Sequence, residues 1–329
     1  MDMQKIPCFI YQEGVHFTLP PEIAAPRRHL CEFAVAERHG SPQPAPEVFR
    51  PVERPEDASV FLFPWDIGQY IDSGNIEAIT AVIASLPYFA GRERRHLVVD
   101  YADRPTPLPL PACLFKVSLL RSDATNAVPT WYRLPEHSLK ARPSFDWRQV
   151  RYQLSFVGSY SNEVRRAAVL SIQKQAPELK FFLSVSQGFA VSDGKMIVKS
   201  ADPMSQAERQ EIFLKSMRES LLALCPPGVG PQSIRLYETM LMGRIPVLFG
   251  DNVQYPLEKE AAYDAFCLRV STDELLDTGN IIREFLRSHS EEELRDKCVL
   301  ACQTWNRLFA RNKLRTLLEQ AGKLYGLTF

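Results

Sequence analysis

Residues 220–251 read SLLALCPPGVGPQSIRLYETMLMGRIPVLFGD, and the fold of the chain turns on this stretch. Ser220-Leu221-Leu222-Ala223-Leu224-Cys225 is a short, nearly continuous apolar run, the pattern of a strand buried on both faces. The loop Pro226-Pro227-Gly228-Val229-Gly230-Pro231 follows, and the spacing predicts a helix over 232–242. Ile245-Pro246-Val247-Leu248-Phe249 then repeats the buried-strand pattern. Strand, glycine-containing loop, helix and strand in that order make one unit of a parallel sheet.

The same alternation extends on both sides. Upstream lie a strand at 154–157, a helix at 162–175 that stops before Pro177, a strand at 180–185, and a helix at 205–217 with Glu208 at capping-box distance from Ser205. Downstream, helical patterning covers 272–288, 291–302 and 305–322. This half reads as a doubly wound, nucleotide-binding type of α/β domain. The first part differs, because 18 of the 25 prolines precede residue 146. Short apolar strands are expected at 6–11, 59–64, 96–101 and 114–117, and Ile76, Ile79, Val82, Ile83 and Leu86 mark one face of a helix over 73–86. Residues 41–55, with five prolines, are expected to be a surface connection. The expected division is therefore 1–146, 147–304, and a last helix at 305–329 that can cross back to the first domain.

Composition narrows the function. With 39 Lys+Arg against 39 Asp+Glu the net charge is zero, so binding of nucleic acid by broad charge is not expected. At 45% hydrophobic and 10% aromatic residues, sizeable cores are within reach. No apolar run has the roughly 18 residues of a spanning helix, and Met1-Asp2-Met3-Gln4-Lys5 lacks the apolar core of a signal peptide. The expectation is a cytoplasmic protein, with peripheral contact at the inner membrane left open. The seven cysteines contain no Cys-x-x-Cys; Cys298 and Cys302, one helical turn apart, read as core positions.

The loop at 226–231 and the helix start after it present backbone N–H groups and the positive end of a helix dipole, a setting that suits phosphate. Gly228 and Gly230 let the backbone approach a ligand, and Ser233 stands at the helix start. Arg235 in the first turn offers a forked cation for a diphosphate, and Glu238, three residues on, can accept hydrogen bonds from ribose hydroxyls. The plainer alternative is an intrahelical surface pair of Arg235 with Glu238. A Walker loop is not present: Gly188 to Lys195 has five residues between its glycines, and Met196 follows the lysine.

Ser233-Ile234-Arg235-Leu236-Tyr237-Glu238 and Gly243-Arg244-Ile245-Pro246-Val247, behind Pro226-Pro227-Gly228, resemble the exostosin-type glycosyltransferases of family 47. Leu154-Ser155-Phe156-Val157-Gly158-Ser159, followed by Arg165-Arg166, is similar to a second motif of that family. The resemblance covers about residues 153–270. It implies a GT-B architecture, two Rossmann-like domains with parallel sheets facing across a cleft, with the sugar nucleotide on the C-terminal one. It further implies that Arg235 neutralises the diphosphate, that Glu238 holds the ribose, and that Gly158, Ser159 and Arg165 line the phosphate side.

The implied activity is transfer of a sugar from a nucleotide diphosphate sugar, a UDP-sugar as first expectation, to a glycan or lipid-linked glycan acceptor in surface polysaccharide synthesis. No cofactor and no metal are expected, since no Asp-x-Asp occurs in the sequence. Inversion needs a base from the first domain. Asp103, after the strand at 96–101, is the first candidate although Ala102 stands where many members have His; Asp66 and Asp100 follow. Trp65 and Tyr70 are candidates to stack on the acceptor, His16 reads as a loop histidine, and Arg92, Arg94, Arg95 and His96 as a solvated basic run. The rival readings are a retaining or fucosyltransferase-like GT-B enzyme and an inactive GT-B scaffold that binds glycan or nucleotide.

Overall fold

A computed structural model describes residues 5–21, 29–36, 42–72, 74–104, 109–123, 127–186, 189–192, 195–198, 206–310 and 313–328. The chain forms two compact units: Met1–Trp131 with Gln254–Leu257 and Asn312–Phe329, and Tyr132–Val253 with Glu258–Arg311.

In the first unit six strands form one sheet: β1 (Ile6–Ile10), β2 (Phe49–Pro51), β3 (Val60–Asp66), β4 (His96–Asp100), β5 (Cys113–Lys116) and β6 (Val128–Pro129). Their order is β2-β1-β3-β4-β5-β6, and every neighbouring pair is parallel. The strands read as apolar runs because both faces are covered. Helix α1 (Ile76–Ala84) buries Ile79, Val82 and Ile83 in the same cluster as Phe61, Phe63, Val98 and Leu114.

Two expectations for this unit are corrected. Residues 41–55 are not only a surface connection: Pro42–Pro44 pairs with Ala34–Ala36, β2 lies beside β1 with Phe49 opposite Ile6, and Ala45, Val48 and Phe49 are buried. Pro51 is tolerated in β2 because that strand lies at the edge of the sheet, where a missing N–H leaves no ladder bond unmade. The run 92–96 is also not solvated throughout. His96 is buried and its ring stacks on Phe61 at 4.7 Å, while the Arg92 and Arg95 guanidinium groups lie over that same Phe61 ring.

The second unit begins with helix α2 (Glu136–Lys140) and continues with β7 (Tyr152–Ser159), α3 (Glu163–Gln175), β8 (Phe181–Ser186), α4 (Gln206–Arg218), β9 (Ser220–Cys225), α5 (Ile234–Leu241), β10 (Ile245–Phe249), β11 (Leu268–Val270), α6 (Thr278–Ser288) and α7 (Glu291–Thr304). The sheet is parallel throughout, in the order β8-β7-β9-β10-β11. Numbered along the chain this is 2-1-3-4-5, a doubly wound order that changes direction between β7 and β9. The expected α/β class with two Rossmann-like domains agrees with these two parallel-sheet units. β11, only Leu-Arg-Val, is too short and too mixed to stand out in the sequence.

Local chemistry sets the helix starts. Asn162 caps α3, its Oδ1 accepting the Arg165 N–H at 3.0 Å, and Ser290 with Glu293 forms a capping box at α7. The expected Ser205–Glu208 box, like Gly188, involves a residue outside those described. Arg244, fully buried, holds three segments together: it donates to the carbonyls of Met217 and Arg218 at the end of α4, of Gly243 after α5, and of Ser144, at 2.7–2.9 Å. Gly243 has φ +64°, and a Cβ there would meet the Phe145 ring at 2.7 Å.

The predicted 305–322 helix is interrupted. Trp305–Ala310 is a π-helical turn, and helix α8 (Lys313–Tyr325) belongs to the first unit, where the Tyr325 hydroxyl accepts the Leu114 N–H at 3.3 Å. The division between units falls after Trp131, where the sequence reading put it at 146. Residues 132–146 lie in the second unit because α2 bonds to α5, as described below.

Candidate functional site

In a doubly wound sheet, ligands bind beyond the carboxyl ends of the strands where the order changes direction. In the second unit that point lies between β7 and β9, whose ends are Gly158-Ser159 and Cys225. The structure thereby brings together two motifs about 70 residues apart. Asn162 donates from Nδ2 to the carbonyls of Pro227 (2.9 Å) and Gly228 (2.8 Å). Arg165 donates from Nε to the Pro227 carbonyl (2.9 Å) and from Nη1 to the Ser161 hydroxyl (3.1 Å) and the Ser159 carbonyl (3.4 Å). Both side chains thus fasten the loop after β9 to the start of α3. Within that loop the Gly228 N–H donates to the Gly230 carbonyl, and Val229 is exposed at its tip.

Helix α5 opens beside this loop. Ser233 occupies its N-cap without a side-chain cap bond, which leaves the first N–H groups of the helix uncapped by it. Arg235 packs inward: its guanidinium lies over the rings of Phe156 (5.0 Å) and Phe213 (5.6 Å), and Nη2 donates to the Val157 carbonyl. Its Nε is buried and has no hydrogen-bond partner among the described residues. A Cβ on Gly158 would stand 3.2 Å from Arg235 Nη2, so the glycine leaves room for the guanidinium. Burial pushes the Arg235 pKa down, opposed by the charges of Cys225 and Glu238.

Glu238 is also buried, and its Oε1 accepts the Ser138 hydroxyl at 2.6 Å. The two residues are therefore not an intrahelical surface pair. Burial raises the Glu238 pKa, while the Ser138 hydrogen bond and the Arg235 charge pull it down. Beside Glu238 lies a cavity of about 300 Å³ lined by His137, Arg209, Gln210, Phe213 and Glu238. A carboxylate at its wall, an aromatic ring and an amide are a set that can hold a ribose and a flat base. Cys225, at the end of β9, is no nucleophile; burial pushes its thiol up to about 12.

The carboxylates of the first unit have distinct environments. Asp66 accepts the N–H groups of Gly68 (2.8 Å) and Tyr101 (3.0 Å), which ties the loop after β3 to the end of β4. A Cβ on Gly68 would come within 2.2 Å of the Ala102 nitrogen, so only glycine allows the two loops to approach. Asp100 and Lys116 are fully buried and paired at 2.9 Å, and Asp100 also accepts the Ala102 N–H. Asp103 accepts the Ser118 hydroxyl at 2.6 Å. Tyr70 is buried in the core and offers no face to an acceptor, contrary to expectation; Trp65 is half-buried against the same cluster. His16 accepts the Gln12 N–H at Nδ1 (3.0 Å).

Sequence reasoning missed two residues. Asn162 was legible only as a helix start; that its other end holds the loop after β9 depends on the sheet order. Ser138 carried no signal, lying 100 residues from its partner.

Residues 156–285 match the Exostosin GT47 domain. No protein of curated function matches the sequence. Among solved structures, the chain is similar to sucrose-phosphate synthase from Thermosynechococcus elongatus at 12% identity, covering 85% of this chain and 68% of that one, with a TM-score of 0.38. A glycosyltransferase from Rickettsia africae gives 10% identity, 79% and 83% coverage and a TM-score of 0.39. AviGT4, a glycosyltransferase involved in avilamycin A biosynthesis, gives 14%, 77% and 80%, and 0.39.

Proposed function

We propose, from the match of residues 156–285 to the Exostosin GT47 domain, that the protein transfers a sugar from a nucleoside diphosphate donor, a UDP-sugar, to a glycan acceptor with inversion and without a metal. The observation that carries the proposal is the placement of Arg235 and Glu238 on α5, beside the carboxyl ends of β7 and β9, with a cavity of about 300 Å³ at Glu238. In this reading Glu238 holds the ribose. The start of α5 faces the diphosphate, and Arg235, packed over the Phe156 and Phe213 rings just behind it, adds its positive charge.

The acceptor oxygen attacks the anomeric carbon, and the bond from that carbon to the diphosphate oxygen breaks, its electron pair leaving with the phosphate. Negative charge grows on the leaving group, so a fixed guanidinium and helix N–H groups lower the barrier. The acceptor proton passes to a carboxylate of the first unit, Asp103 in the first instance and Asp66 in the second. Asp100 is not assigned that role in this reading, since it is buried and paired with Lys116. Support for a metal-free step comes from the absence of Asp-x-Asp in the sequence together with a cation supplied by the chain itself. The acceptor is proposed to be a surface polysaccharide or lipid-linked glycan, as the resemblance to the family implies; no helix among the described residues is long and apolar enough to cross a membrane.

A thermal-shift screen against UDP, GDP, CDP and their sugars tests the donor class. A ligand at a hundred times its Kd adds about 2.7 kcal/mol to the native state and raises Tm visibly. Arg235→Lys keeps the charge and loses the fork, and is expected to lower kcat/KM for the stabilising donor at least about tenfold, with activity retained in EDTA. Absence of a shift with every nucleotide rejects the donor reading.

A further inference from the structure

The ribose role of Glu238 makes its surroundings consequential. The carboxylate is buried on α5, yet its hydrogen-bond donor comes from outside the sheet and its crossovers: Ser138 Oγ, itself buried on α2, at 2.6 Å from Oε1. The same segment is fastened to the start of α5 a second time, by the Tyr132 hydroxyl donating to the Gln232 carbonyl at 3.3 Å. His137, next to Ser138, forms part of the cavity wall. One wall of the cavity and, among the described residues, the hydrogen-bond donor to its carboxylate thus come from residues 132–140, ahead of the first strand of the unit.

We infer that Ser138 is a positioning residue for donor binding, which fixes the direction in which the Glu238 carboxylate meets the ribose hydroxyls. The inference rests on the ribose reading of Glu238. A carboxylate removed from water is protonated more readily unless donors hold the charged form. Ser138 supplies such a donor at short range. It also occupies one oxygen, so the carboxylate cannot rotate freely. The groups that face Glu238 are Arg235 on its own helix, Ser138 and His137 from α2, Arg209, Gln210 and Phe213 from α4, and the Cys225 thiol from β9. Of these, Arg235 is directed to the Val157 carbonyl and the Phe156 ring, which leaves Ser138 as the hydrogen-bond donor to Glu238 among the described contacts.

The test is calorimetric titration of UDP into the full-length protein from about pH 5 to about pH 8, for the parent, Ser138→Ala, Glu238→Gln and the double variant. Ser138→Ala is expected to weaken UDP about tenfold, the loss of a hydrogen bond to a charged group. The acid-side fall in affinity should begin about one pH unit higher, and KM for the donor should rise with kcat little changed. Glu238→Gln should weaken binding and flatten the pH dependence, and adding Ser138→Ala to it should change nothing more. A purely structural serine would instead lower Tm, leave the pH profile in place, and add its effect to that of Glu238→Gln. If Ser138→Ala leaves affinity and profile unchanged while Glu238→Gln weakens UDP, the inference is overturned and the ribose reading stands. If Glu238→Gln has no effect, or the parent does not bind UDP, the ribose reading itself falls and the inference with it.

Discussion

His96 shows how much a single side chain depends on its setting. It follows three arginines in sequence, yet its ring is enclosed by Phe61, Tyr11 and Phe89, its Nδ1 donates to the Arg92 carbonyl at 2.9 Å, and its Nε2 faces the Tyr11 hydroxyl at 2.8 Å. Burial lowers its pKa from 6.5 to about 4. The native state therefore holds the neutral ring where the unfolded chain takes up a proton. The stabilisation is complete above pH 6.5 and is lost as pH falls towards 4, a change of up to about 3 kcal/mol. Guanidinium denaturation at neutral pH and near pH 4.5 should show this loss in the parent, and His96→Gln should be weaker at neutral pH but markedly less acid-sensitive. The Asp100–Lys116 pair, equally hidden, is of the same kind: charge in the sequence, core in the fold.

Among the elements, α4 and α5 are joined through one cation rather than through packing alone. The ends of both helices point carbonyls at Arg244, and the partial negative charge of two helix termini replaces a carboxylate partner. Arg244→Met should leave these buried carbonyls without donors and cost about 3–5 kcal/mol in urea unfolding. Lysine keeps the charge but cannot reach all of them, and should recover only part of the loss. The Gly243-Arg244 pair was legible as a motif, but its physical task was not, because the carbonyls it serves come from residues 144, 217 and 218. Likewise β2 was hidden by Pro51 and the proline-rich stretch around it, since whether a strand lies at an edge is a property of the sheet.

At the scale of the molecule, the chain returns to its first unit through α8. Leu317, Leu318 and Ala321 are buried, and Tyr325 reaches the backbone of β5. Ending the chain after residue 311 should therefore lower the melting transition of the first unit by more than about 10 °C, while UDP binding by the second unit stays within about twofold; calorimetry and titration of the truncated protein read the two effects separately. The period of apolar residues determined the α/β class, the parallel strands and the helix that carries Arg235 and Glu238, because strand and helix burial are local patterns of side chains. Tertiary structure alone decided that Asn162 and Arg165 hold the loop after β9, that Ser138 bonds to Glu238, and that Asp100 is occupied by Lys116. Those are contacts between segments distant in sequence. Their partners are chosen by strand order and by the need to satisfy buried polar groups, and neither is written in any one stretch of the chain.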